Sequence, residues 1–471
     1  MRHVIGANRD QGLLFPEQLE DYVSPEHPVR VIDAFVDSLN LIELGFSKAT
    51  TKETGRKPYH PGDLLKLYLY GYLNRVTTSR RLEVECHRNL EVLWLMKRLA
   101  PDFKTIADFR KDNGPAIRAT SRAFVEFCRV EQLLSQELFA IDGSKFKAAG
   151  SRDRTVMRKH LNRDRKALEA RMQRYLDQLD EADKGGPEIE LDESHVQAAL
   201  EKLKSKQASL DEAEGAMDEG GKDEHTQTDP DARMMRSGRD GLVLGYNVQS
   251  AVEAHSGIIV HHDVTNDAGD NRQLWPMARK VREVLGLKTL KVLADAGYAK
   301  GEDLAHCEAV GIEASVPRRS KTSSFKDKYQ KSDFIYEAAA DSYTCPAGER
   351  LAYRRTDYRR QVHLYQRRGC DSCELHSRCT SSDLRTVTRH LFEGALDRSQ
   401  ARIEANPELR NLRMSIAERP FAMIKQILGF RRMSCRSLTG AQTEVSLAVL
   451  SYNLKTMIGR VGVTGMLARL A

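Results

Sequence analysis

The chain has 471 residues, 40% hydrophobic and 30% charged, too long for one ordinary domain and apolar enough to bury a real core. Lysine and arginine number 74 against 67 acids, and the formal net charge of +7 permits nucleic-acid binding without demonstrating it. The opening segment MRHVIGANRDQG is polar and no run of about 18 apolar residues occurs, so neither a secretory signal nor a membrane span is expected, and the cytoplasm is the expected compartment.

Residues 1–132 read as an all-helical unit. His60 to Leu73 places Leu64, Leu65, Leu67, Leu69 and Leu73 around a buried helix, with Pro61 suited to its first turn. A second helical run spans Ser79 to Trp94. Asp102 to Asp108 reads as an extended lead and a cap into a helix ending near Cys128. Packing or dimerisation is one reading of this unit. DNA binding is the other, with Arg75, Arg80, Arg81 and Arg88 facing phosphates.

The pattern changes at Leu138. Leu138 to Ile141 is a short apolar run ending in Asp142, as a buried strand that delivers an acid would be. Val243 to Val252 and Ile258 to Val264 read as a hairpin about the His255-Ser256-Gly257 turn. Asn271 to Leu285 is an amphipathic helix that tolerates Pro276 because it falls early. Leu290 to Ala294 is a second apolar strand ending in an acid, Asp295. A short helix over Glu302 to Ala309 and a strand over Ile312 to Val316 follow. This order is that of a mixed α/β layer structure.

Two segments interrupt it. Residues 156–235 are highly charged. Leu161, Leu168, Met172, Leu176 and Leu179, then Val196, Leu200, Leu203 and Leu210, recur at helical spacing on either side of Gly185-Gly186-Pro187. An antiparallel helical hairpin is expected, then a disordered acidic stretch from about Asp218 to Asp231, serving as a solvated spacer or a partner-binding arm.

Residues 318–400 form the second insert, with Cys345, Cys370, Cys373 and Cys379 at C-x24-C-x2-C-x5-C spacing. Four thiolates make a closed tetrahedral zinc site, and His376 could replace one; reduced thiols or a redox-labile pair are the alternative. Between Cys345 and Cys370, Tyr353, Tyr358 and Tyr365 interleave with Arg354, Arg355, Arg359, Arg360, Arg367 and Arg368, a stripe suited to DNA backbone or to a solvated hairpin. Cys86, Cys128, Cys307 and Cys435 read as buried thiols.

An aspartate after a strand is by itself often a turn residue or a helix cap. Two such acids on neighbouring strands suit phosphoryl transfer on DNA, where divalent ions about 3.5–4 Å apart stabilise attacking and leaving oxygens. Hard cations take carboxylate oxygens, so a third acid is needed from elsewhere.

At this point the sequence resembles a known family. The words are Gly55-Arg56-Lys57-Pro58-Tyr59-His60-Pro61, Thr78-Ser79-Arg80-Arg81-Leu82-Glu83, Ala140-Ile141-Asp142-Gly143-Ser144-Lys145, Ala294-Asp295-Ala296-Gly297-Tyr298, and Ala417-Glu418-Arg419-Pro420-Phe421 running through Lys425 into Leu428-Gly429-Phe430-Arg431-Arg432. They resemble the DDE transposases of bacterial insertion sequences, a subgroup with a helical N-terminal domain and a cysteine-bearing insert.

The resemblance implies an RNase H-like catalytic core over 133–317 and 401–471. It implies a triad of Asp142, Asp295 and Glu418 that binds two Mg2+ or Mn2+ ions. Cleavage would occur at the terminal inverted repeats, with strand transfer of the 3′-hydroxyl into target DNA by a homodimer acting on the bacterial nucleoid. Lys145, Tyr298, Arg410, Arg413 and Lys425 are the expected DNA contacts beside the acids. Asn266 and Asp267 resemble a recurring pair of the family, and a turn or structural role is expected for them, with active-site support as the alternative. Pro420 is expected to put Glu418 at a kink or near a helix start. Arg419 stands where the family carries histidine, leaving that position's role open. A transposase-derived DNA-binding protein without catalysis, and a metal-dependent nuclease that cuts without joining, are the rival readings.

Overall fold

A computed structural model describes residues 18–50, 57–183, 193–221, 223–238, 240–319 and 328–471. The polar opening segment, Gly55-Arg56 and Gly185-Gly186-Pro187 lie outside the described residues.

Among the described residues, a 3-10 turn (Leu19–Tyr22) is followed by six α-helices: α1 (Pro28–Asp37), α2 (Pro61–Leu73), α3 (Ser79–Arg88), α4 (Leu90–Leu95), α5 (Phe103–Asp112) and α6 (Gly114–Val130). Several of the recognised words are their start signals. His60 caps α2 by accepting from the Gly62 N–H, with Pro61 at the first helical position. Thr78 caps α3 and Asp102 caps α5 in the same way. The run expected over Ser79 to Trp94 breaks at Asn89, whose side chain caps α4. The helix expected to end near Cys128 is two helices, α5 and α6, divided at Asn113.

The central sheet has six strands: β1 (Phe139–Lys147), β4 (Arg233–Ser237), β5 (Gly241–Glu253), β6 (Ile259–Thr265), β7 (Leu290–Leu293) and β8 (Ile312–Ser315), where β2 (Thr155–Met157) and β3 (Glu224–Thr226) form a separate two-stranded ladder. Its order is β4-β5-β1-β7-β8, with β6 also on β5. The β6-β5-β1 ladders are antiparallel, and β1-β7-β8 are parallel. The parallel strands are joined through α9 (Leu274–Leu285) and α10 (Gly301–Ala309). This is an RNase H-like mixed sheet. β5 is buried from Val243 to Glu253, as a central strand covered on both faces must be.

β2 and β3 close the base of a helical hairpin, α7 (Arg158–Asp183) and α8 (Glu193–Gly220). The hairpin has its own small core of Leu161, Leu168, Leu203 and Leu210. The acidic stretch after it is a correction. It contains β3, and Asp229 is fully buried, accepting from the Tyr246 hydroxyl at 2.8 Å and the Ser437 N–H at 3.1 Å. Composition suggested solvent; a buried tyrosine hydroxyl and a helix lead supplied partners instead.

The second insert is a five-stranded antiparallel sheet, β9 (Ile335–Glu337), β10 (Ser342–Thr344), β11 (Arg350–Asp357), β12 (Val362–Arg368) and β13 (Leu384–His390), with a short helix α11 (His376–Cys379). Its core is Phe334, Tyr343, Leu351, Tyr365 and Val387. The chain then enters α12 (Glu393–Ala405), α13 (Leu409–Ala422), a π-helical turn at Met423–Ile427, and α14 (Leu438–Leu470), broken at Gly462 (φ 75°).

The N-terminal helices and the sheet share one hydrophobic cluster. α14 packs on α6, α1, α2 and β6 and ties them together. Arg110 reaches from α5 to Glu444 on α14 at 2.9 Å, both side chains nearly buried. Phe430, from the Leu428–Arg432 word, lies between the Tyr72 and Phe146 rings at 5.6 and 5.7 Å. Among the described residues no helix is long and apolar enough to cross a membrane.

Candidate active site

β1 runs through Asp142 to Lys147, so the acid sits in mid-strand and not at the strand end. The parallel register Phe139↔Val292 and Ala140↔Leu293, continued two residues, sets Asp142 beside Asp295. Neighbouring strands lie about 4.8 Å apart. Asp295 follows β7 and caps a one-turn 3-10 helix, accepting from the Gly297 N–H at 2.7 Å. Arg319 fixes that turn from outside, donating to the Ala296 and Gly297 carbonyls at 2.9 and 2.8 Å.

Glu418 comes from α13, which lies against β1 and β5. It stands within the helix, two residues before Pro420, and not at a helix start. The disturbance falls further on, where the helix widens to the π-helical turn from Met423.

One side chain links the three acids. Arg413 Nη2 lies 2.7 Å from Asp142 Oδ1 and 3.8 Å from Asp295 Oδ2, and Nη1 lies 3.9 Å from Glu418 Oε1. Asp142 is nearly buried, whereas Asp295 and Glu418 are open to solvent. Burial pushes the Asp142 carboxyl up to about 6 from 3.8; Arg413 and the Gly143 N–H pull it back, and Asp295 and Asp270 raise it.

A polar network beneath the acids was not legible in the sequence. Asp270 Oδ1 accepts from Lys145 Nζ at 3.2 Å, Asn247 Nδ2 at 2.8 Å and Gln249 Nε2 at 2.8 Å. Gln249 also accepts from the Tyr298 hydroxyl. The network leaves no room at Gly143, where a Cβ would meet Gln249 Nε2 at 2.3 Å and Asp270 Oδ1 at 2.7 Å. Asp270 is 125 residues from Lys145, and no local spacing connects them.

Four of the expected DNA contacts are engaged with protein groups in this structure. Tyr298 is fully buried and holds Gln249. Lys145 is nearly buried on Asp270. Lys425 donates to Ser144 Oγ and the Lys145 carbonyl, both at 2.7 Å, over the Phe146 ring. It therefore ties the π-helical turn to β1. Arg413 turns onto the acids. In each case the donor group is turned toward protein oxygen.

Arg410 is exposed on α13, Arg80 and Arg81 on α3, and Arg354, Arg355, Arg359 and Arg360 along β11 and the turn after it. Arg75 instead donates to the Ile427 and Gln426 carbonyls at 2.7 and 3.2 Å, and Arg88 pairs with Glu85. Asn266 and Asp267 lie in irregular backbone after β6, where Asn266 donates to the Asp231 carbonyl at 3.2 Å and Asp267 accepts from Gln273 at 3.0 Å.

Cys345, Cys370, Cys373 and Cys379, with His376, line one cavity of about 230 Å³ in the second insert. Burial raises the Cys379 thiol, and the other three cysteines add to that. Among the described residues, no three His, Cys, Asp or Glu side chains close on a common point as metal ligands do. At the acids, the Arg413 guanidinium occupies the middle of the group as a stand-in cation. The carboxylate oxygens around it are the donors a hard divalent ion takes.

Comparison with known proteins places these features. A transposase domain family (DUF772) matches residues 17–112, and the transposase DDE domain family matches residues 222–454. The chain belongs to the DDE transposases of insertion-sequence type.

The transposase carries Asp295 and Glu418 inside the DDE match, while Asp142 lies in the stretch between the two matches. The family cleaves DNA and transfers strands, generally with divalent metal ions. A solved piggyBac transposase synaptic complex with hairpin DNA is 7% identical and covers 94% of this chain and 78% of its own, at a TM-score of 0.31, a likeness too slight to bear on fold or function. Among curated proteins no relative matches.

Proposed function

We propose that Asp142, Asp295 and Glu418 are the catalytic acids of this transposase, and that they hold two Mg2+ or Mn2+ ions. The observation that supports this most is their convergence on one guanidinium from β1, the end of β7 and α13. Three carboxylates that share one guanidinium within 4 Å need positive charge. Bound ions supply Lewis-acid stabilisation of the attacking and leaving oxygens.

The chain's own residues do the rest. Asp142 is held by the strand ladder and the Gly143 N–H, Asp295 by its capping turn and Glu418 by α13. Lys425 anchors the C-terminal side of α13 to β1, which fixes how far Glu418 stands from the sheet. The attacking group is water in the first cut at an element end and the freed 3′-hydroxyl in the joining step.

The proposal extends to the arrangement of the molecule. Arg80, Arg81, Arg410 and the arginines of β11 contact the DNA backbone of terminal repeats and target. Two copies of the chain bring two ends together as a homodimer, in the cytoplasm on the nucleoid. Residues 1–132 act as the DNA-binding and dimerising unit, 133–317 with 401–471 as the catalytic core, and 156–235 and 318–400 as inserts. The four thiols of the second insert supply the donor set of a structural zinc site.

Incubating the protein with labelled element ends, target DNA and Mg2+ tests this reading. Joined products are the expected result; nicked ends with no joined product would identify a nuclease, and intact DNA an inactive binder.

A further inference from the structure

Arg413 is the charged side chain that the three acids share. Its guanidinium touches Asp142 at 2.7 Å and spans toward Asp295 and Glu418 at 3.8 and 3.9 Å. Its Nε is buried and has no hydrogen-bond partner. Arginines with a structural seat nearby are held differently: Arg319 and Arg75 each donate twice to backbone carbonyls. Arg413 has no such anchor among the described residues; what holds it is the charge of the acids.

We propose that Arg413 is the resident counter-ion of the acid cluster, exchanged for divalent metal when the site is loaded. This rests on the reading that Asp142, Asp295 and Glu418 are the metal ligands. A divalent ion sits about 2.0–2.1 Å from a carboxylate oxygen. A guanidinium nitrogen already lies 2.7 Å from Asp142 Oδ1, so ion and guanidinium compete for the same oxygen and repel each other.

Without metal, three carboxylates with no cation among them would push apart, so the guanidinium keeps them assembled. Departure of the side chain breaks ion pairs and no backbone hydrogen bond among the described residues. Arg413 is thus a positioning residue: it holds the acids in place and sets the metal concentration at which they load.

Calorimetric titration of Mn2+ into the DNA-free full chain tests this directly. Arg413→Gln is expected to bind Mn2+ about tenfold more tightly than the wild type, the order expected when a unit positive charge within about 4 Å is removed. In chelator it is expected to melt below the wild type, and to gain more from Mn2+. Arg413→Lys keeps the charge without the span of the fork, and is expected to fall between the two.

Wild-type or weaker Mn2+ affinity in Arg413→Gln would overturn the exchange. Should that variant not fold, wild-type affinity in Arg413→Lys would overturn it equally. Asp295→Asn separates the two readings. If it binds Mn2+ as the wild type does, the ion sits elsewhere, and the metal site falls together with the exchange.

Discussion

Gly143 shows how tightly the site is built around single atoms. Asn247, Gln249 and Asp270 crowd the space a side chain would need there. Gly143→Ala should therefore destabilise the protein by about 1–3 kcal/mol, read by denaturant unfolding, and lower DNA cleavage with it. An unchanged midpoint would mean that the network yields freely.

Two half-buried histidines give a second prediction at this scale. Burial holds His262, which shares a 2.8 Å hydrogen bond with Ser446, down at about 3 from 6.5, with His261, Arg122 and Arg118 adding to the effect. The folded state keeps the ring neutral. Stability from His262 is thus complete above about pH 6.5 and drains away as pH falls toward about 3. His262→Asn should flatten the fall of unfolding midpoint across that window; an unaltered slope would assign it to other groups.

The three proposed acids were legible because each lies in a local word. Asp270, Asn247 and Gln249 were not, because only the ladder of β1 on β5 gathers them. Nor does a sequence show exposure: Tyr298 and Lys145 read as DNA contacts until burial placed them on Gln249 and Asp270.

At the scale of elements, periodicity found the helices and the strands, and missed what tertiary partners decide. The hairpin of α7 and α8 was plain from its leucine spacing. The segment after it read as disordered because acids dominate its composition, yet Asp229 is sealed in by Tyr246 and Ser437. Asp229→Ala leaves that hydroxyl and N–H without an acceptor, and should cost about 1–3 kcal/mol for each buried orphan. Limited proteolysis reads the same change: cleavage between Gly220 and Arg233 should be slow in the wild type and fast in the variant. Equal rates would return the segment to a loose linker. The π-helical turn could not have been foreseen either, since the Lys425 contacts that accompany it cross 280 residues.

For the whole molecule, the expectation of a helical unit beside a catalytic core captured the order of elements but not their union. One hydrophobic cluster runs from α1 to α14, and the Arg110–Glu444 pair is buried where the helices meet α14. Glu444→Gln would strand the Arg110 charge and should cost about 3–5 kcal/mol in a single unfolding transition. Two separate transitions would show that the helical part unfolds on its own. The arm of α7 and α8 is outside this unity, having its own core. Replacing residues 160–217 by a short flexible turn should leave the main melting transition nearly unmoved.

The central claim concerns the three acids as one metal-holding unit, and cleavage and joining of labelled element ends in Mg2+ by single-site variants tests it most directly. Asp142→Ala, Asp295→Ala and Glu418→Ala should each bind the ends as the wild type does and yield neither cut nor joined DNA. Wild-type cleavage by any one of the three would contradict the account.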